Sequence, residues 1–134
     1  MSYYFSTIVK GDFDTIVDKT TELLKKEGFG ILTQIDIQET LKKKLDVDFN
    51  RYKILGACNA PFAYKALQAE NKVGTMLPCN VIIQELDDKT IEVAAVNPLE
   101  SMQAIKNPAL EAIANEVTDK LKTVIKNLKD EKQF

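Results

Sequence analysis

No histidine occurs among the 134 residues of the chain. That absence removes Ser-His-Asp triads, Cys-His dyads, imidazole metal ligands and histidine-based pH sensing together. Two cysteines are too few for a disulfide framework. Uninterrupted apolar runs stop at about four residues, as in Val93-Ala94-Ala95-Val96, far short of a membrane span. The start, Met1-Ser2-Tyr3-Tyr4-Phe5-Ser6, shows no basic stretch followed by an apolar one, so no secretory signature is read there. An excess of basic residues is also missing. Lys plus Arg is 18 against 20 for Asp plus Glu, a net charge of −2, which argues against a nucleic-acid partner. No Gly-x-Gly-x-x-Gly, Walker-type loop or Gly-x-Ser-x-Gly elbow is present, and no cofactor is implied. The expectation is a soluble cytoplasmic protein with neither membrane nor nucleic acid as partner.

What is present is a hydrophobic share of 45%, enough for one core-bearing domain over residues 1–134. Tyr3 to Lys10 alternates as a strand, with Tyr3, Phe5, Thr7 and Val9 on one face. Gly11 breaks it and Asp12 is placed to cap a helix. Phe13, Ile16, Val17, Thr20, Leu23 and Leu24 then recur at helical spacing, and Gly28 supplies the stop. A second strand covers Ile31 to Asp36. Asp36 caps a short helix, with Glu39 as its capping-box partner and Lys42, Lys43 and Lys44 in the last turn. Tyr52 to Cys58 is a third strand, followed by a helix over Phe62 to Glu70 with Pro61 in its first turn. Val73-Gly74 and Met76-Leu77-Pro78 form an apolar connection back to the sheet. Cys79 to Leu86 and Thr90 to Val96 form a hairpin around Asp87-Asp88-Lys89. Asn107-Pro108 opens a long helix whose stripe is Leu110, Ile113, Ala114, Val117, Leu121, Val124, Ile125 and Leu128. Lys129 to Phe134 is expected to fray.

This order predicts an α+β fold. It has two layers: a mostly antiparallel sheet covered by an N-terminal helix and a long C-terminal helix, with short helices inserted between strands. The second face of that sheet needs an explanation, because Ile82, Leu55 and Val96 are apolar as well. Self-association into a homodimer and a concave pocket are the two answers.

Chemistry concentrates at two Cys-Asn dipeptides, Cys58-Asn59 and Cys79-Asn80, each beside a proline. Cys58 ends one strand and Cys79 begins the next, so antiparallel strands would gather both thiols at one edge of the sheet. Three readings follow. Both cysteines pack as small hydrophobes; or one acts as a nucleophile or sulfur carrier, with Lys53 and Lys65 as candidate cations; or the thiolates bind a soft metal. Two thiolates fall short of a closed zinc site, and no metal is expected.

Several stretches resemble the family called domain of unknown function 302. They are Gly30-Ile31-Leu32-Thr33-Gln34-Ile35-Asp36, Gly56-Ala57-Cys58-Asn59-Ala60-Pro61, Leu77-Pro78-Cys79-Asn80-Val81 and Ala94-Ala95-Val96-Asn97-Pro98. The resemblance implies a TATA-binding-protein-like two-layer fold and a homodimer. It marks Cys58, Asn59, Pro61, Pro78, Cys79 and Asn80 as motif positions. Asn97 stands where many members carry an acidic residue, and it completes the candidate set. The resulting expectation is a homodimeric protein that binds a small molecule or anion at the Cys-Asn cluster, two asparagine amides forming the polar floor. A thiol-dependent enzyme or sulfur carrier using Cys58 or Cys79 is one alternative. A structural or interaction module with buried cysteines is the other.

Overall fold

The computed structural model describes residues 2–131. Five strands form one antiparallel sheet: β1 (Tyr4–Lys10), β2 (Gly30–Asp36), β3 (Tyr52–Cys58), β4 (Cys79–Asp87) and β5 (Thr90–Val96). Their spatial order is β1-β5-β4-β3-β2. Helices α1 (Phe13–Lys26), α2 (Ile37–Leu45), α3 (Ala60–Ala69), α4 (Pro98–Ser101) and α5 (Pro108–Asp130) complete the chain, with a 3-10 turn over Asn71–Met76. The expected α+β, two-layer architecture is the observed one.

Local chemistry accounts for the element ends. Asp12 accepts from the Thr15 N–H at 3.2 Å and starts α1. Gly28, at φ +89°, ends it in the left-handed region that favours glycine. Asp36 accepts from the Glu39 N–H at 2.9 Å. The reciprocal half of the capping box does not form, because the Glu39 carboxylate turns to Lys43 Nζ at 2.7 Å. The β4–β5 turn contains no glycine; Lys89 itself takes φ +64°. Asn107 caps α5 by accepting from Ala109 N–H, with Pro108 in the first turn. The tail is more ordered than expected. Lys129 and Asp130 belong to α5, and Glu131 pairs with Lys19 at 2.9 Å. Residues 132–134 lie outside the described residues.

The core lies between one sheet face and the α1–α5 layer. Leu55, Ala57, Val81, Ile83, Ile91 and Val93 point into it and are completely buried. They meet Ile16 and Leu24 of α1 and Leu121, Val124 and Leu128 of α5. Leu55 thus belongs to the covered face and not to the second one, as its alternation with Ile54 and Gly56 requires. Ile82 and Val96 do lie on the opposite face, with Tyr4, Ile8, Tyr52 and Ile54. No helix of the described residues is long and apolar enough to cross a membrane.

Candidate functional site

The turn from β3 into α3 and the start of β4 meet at one end of the sheet. Ala57 is the register partner of Cys79, so Cys58 and Cys79 come from adjacent strands at the same edge. A narrow apolar crevice of about 40 Å³ opens there, lined by Cys58, Asn59, Pro78 and Cys79 on the strand side. Phe62, Ala63 and Ala66 of α3 form one wall, and Leu110, Ala114 and Val117 of α5 form the other. Pro98 of α4 and Met102 just beyond it close one end. The walls stand apart because alanines face the gap from both helices. Ala63 and Ala66, one turn apart on α3, share a face, and Ala114 is their counterpart on α5.

The two thiols differ in setting. Cys58 is half-buried, whereas Cys79 is only 8% exposed. Burial pushes the Cys79 thiol up to about 11, with the neighbouring Cys58 adding to the effect. At neutral pH Cys79 is therefore a protonated, weakly nucleophilic group that packs as a small hydrophobe. Among the described residues no third cysteine, aspartate or glutamate joins the pair to make a metal-binding group.

The asparagines do not converge. Asn59 is buried, and its Nδ2 donates to the Glu27 carbonyl at 3.1 Å. It ties the end of α1 to the β3–α3 turn and leaves α3 without a side-chain cap. Asn80 sits one residue beyond Cys79, so the pleat turns it to the opposite, open face, opposite Gly56. It is exposed and borders a surface depression with Tyr4, Tyr52 and Ile82. The expected floor of two amides is replaced by one buried amide with a structural partner and one on the far face. Pro61 is exposed in the first turn of α3, outside the crevice lining. Pro78 lines the crevice, and the Leu77–Pro78 peptide is cis.

Asn97 is 1% exposed and wholly engaged. Its Oδ1 accepts from the Leu99 N–H at 3.2 Å, which starts α4. Its Nδ2 donates to the Ser2 carbonyl at 3.0 Å, and its backbone N–H donates to the Tyr3 carbonyl at 2.7 Å. An amide can donate and accept at once, and a carboxylate cannot donate. Asparagine at this position therefore joins β1 to the start of α4.

The pattern of the family described as Domain of unknown function DUF302 matches residues 5–128. The chain belongs to this family. A crystal structure of the uncharacterized conserved protein DUF302 from Bacillus stearothermophilus superposes with a TM-score of 0.86 at 27% sequence identity. The match covers 94% of this chain and 98% of that one. No curated protein matches this DUF302 chain.

Sequence reasoning missed most of the crevice lining. Phe62, Met102, Ile113 and Val117 line it; Phe62 had been placed only as the start of a helix, and Ile113 and Val117 only as members of the α5 stripe. The available signal was the set of alanines at helical spacing, Ala60, Ala63 and Ala66, which gives α3 one face of small side chains. Two lysines also reach this region. The Lys65 and Lys120 ammonium groups stand 5.6 and 6.0 Å from the centre of the Phe62 ring.

Proposed function

We propose that this protein is a homodimeric small-molecule-binding protein whose ligand enters the crevice beside Cys58 and Cys79. The observation that carries the reading is the crevice itself: chemically distinct groups from two strands and three helices meet around unfilled apolar space. Close-packed interiors leave few such spaces. Apolar pockets with a small number of polar groups at the rim are where small ligands commonly bind. The volume accepts one or two methyl-sized groups, so a ligand inserts a narrow apolar end and leaves the rest at the rim. The raised Cys79 thiol weighs against a nucleophile at that position.

The homodimer reading draws on the second sheet face. Tyr4, Ile8, Ile54, Ile82, Ala94 and Val96 present an apolar surface on it. Glu92 is the carboxylate among them, and Gln84 Nε2 donates to it at 2.9 Å. Strand spacing and rise give a flat five-stranded face of roughly 500 Å². Two copies face to face then bury about 1,000 Å², the lower bound of a specific interface. A second copy of the chain is the occupant with the matching, mainly apolar surface.

Thermal shift across a metabolite set tests the binding reading, with Ala114→Leu as the control. Leucine at this position fills the crevice from α5. A ligand of the crevice raises the melting temperature of the wild type by mass action and leaves the variant unmoved. It also slows alkylation of Cys58 in the native protein. A ligand that stabilises both proteins equally and leaves Cys58 labelling unchanged binds elsewhere, and the reading then fails.

A further inference from the structure

Phe62 belongs both to the crevice wall and to the surface at its mouth. Lys65 comes from its own helix, three residues on, and Lys120 comes from α5 across the gap. Both ammonium groups lie within 6.0 Å of the same ring. These separations sit at the outer limit of a cation–π contact, so the ring holds neither lysine strongly. Among the described residues no carboxylate lies within the 4.0 Å ion-pair range of either ammonium, although Lys19, Lys42, Lys43 and Lys126 all have such partners. Two positive charges without an ion-pair partner among the described residues therefore stand near Phe62, one wall of a space with no charged group in its lining.

We infer that the ligand of the crevice is a short aliphatic carboxylate, its hydrocarbon end between Ala63, Ala66 and Ala114 and its carboxylate at the rim beside Lys65 and Lys120. This rests on the crevice being the binding site. Charge and shape select the class together. A cation is repelled by the two ammonium groups, and a neutral polar molecule gains less from them than a carboxylate does. A dianion without a tail leaves the apolar space unfilled. Lysine serves this role as a flexible point charge that reaches a carboxylate at the rim without being buried. The tail is short because the unfilled volume is about 40 Å³.

The test is a titration followed by methyl NMR at Ile113 and Val117, using butanoate, with butanol and butylamine as uncharged and cationic counterparts. The expected result is saturable shifts with butanoate, binding about fivefold tighter than butanol, the increment of a pair of partly exposed ion contacts. In a Lys65→Gln, Lys120→Gln double variant that advantage disappears while butanol binding stays. Equal binding of butanoate and butanol, an unchanged advantage in the double variant, or tighter binding of butylamine overturns the carboxylate assignment and leaves the crevice as the site. Absence of saturable shifts with every compound overturns the crevice reading as well. Loss of all shifts in Ala114→Leu, with an otherwise native methyl spectrum, supports the placement, and their persistence there overturns it.

Discussion

The sheet has two faces built from alternate residues of the same strands, and they have opposite fates. Ile83 and Ile82 are adjacent on β4; the first is completely buried under the helices and the second is partly open. Cys79 and Asn80 divide in the same way, one buried at the crevice and the other exposed on the far side. The contrast shows that apolar alternation sets which residues share a face, while the helices decide which face becomes the core. It also separates groups whose loss damages the fold from groups whose loss is felt only when something covers the open side.

The widest expected gap lies between those two isoleucines. Ile83→Ala should cost about 2–5 kcal/mol in chemical denaturation, since it opens a cavity in packed core. Ile82→Ala in the isolated chain should cost less than about 1 kcal/mol. If two copies pair through the open face, Ile82→Glu lowers the measured mass in sedimentation while the far-UV spectrum stays native. An unchanged monomer mass in both proteins would remove the dimer reading.

Cys79 gives the next effect. Its folded-state ionisation is raised from 9.0 to about 11. Below pH 9 both states hold the proton and nothing is lost. Between pH 9 and about 11 the unfolded chain releases it first, so stability falls as pH rises. The decline attributable to this group is roughly 2 to 3 kcal/mol. The decline should be missing from the Cys79→Ala profile and so appear in the difference between the two pH profiles, and a parallel pair of profiles would contradict the burial argument.

Gly56 tests the open face at its tightest point. A Cβ there would strike the Thr33 side chain and come within 2.9 Å of Pro78 Cγ. Gly56→Ala should cost about 1–3 kcal/mol. Combining it with Thr33→Ala should recover part of that cost, a non-additivity that a double-mutant cycle measures directly. The two asparagines follow. Asn59→Ala should cost about 1 to 2 kcal/mol through the Glu27 carbonyl it leaves unpartnered. Asn80→Ala should stay within about 0.5 kcal/mol. The smallest change runs the other way. Thr118 is 1% exposed, and its hydroxyl has no partner. Thr118→Val should raise stability by up to about 1 kcal/mol, seen as a higher denaturation midpoint.

The strands, the long helix and the meeting of the two cysteines were legible because each rests on a local signal. Alternation marks strands, the stripe from Leu110 to Leu128 marks α5, and a strand end followed by a strand start places Cys58 near Cys79. What was not legible depends on parity and on contacts between distant elements. Asn59 and Asn80 each follow a cysteine, yet one lies in the turn past a strand end and the other inside a strand. Their amides therefore point to different places. Leu55 was assigned to the second face although its spacing with Ala57 already placed it on the other. Helix α4 repeats the Asn-Pro start of α5, at Asn97-Pro98, but its four residues are too few to show a period. The register shift between Ile31 and Thr33 has no glycine or proline between them to announce it. Lys65 and Lys120 lie on separate helices, so only the packing of α3 against α5 brings both to Phe62.

The position of β1 has a consequence for biosynthesis. Tyr4 lies opposite Val96, and β1 pairs with no strand other than β5. A ribosome delivers this segment long before its neighbour exists. The β4–β5 hairpin and the β3–β4 pair can zip together from nearby sequence, whereas β1 must wait and then dock along a finished edge. Of the five strands, β1 leaves the ribosome first and its one neighbour, β5, last, so Phe5, Thr7 and Val9 have no strand partner until Val96 has left the exit tunnel.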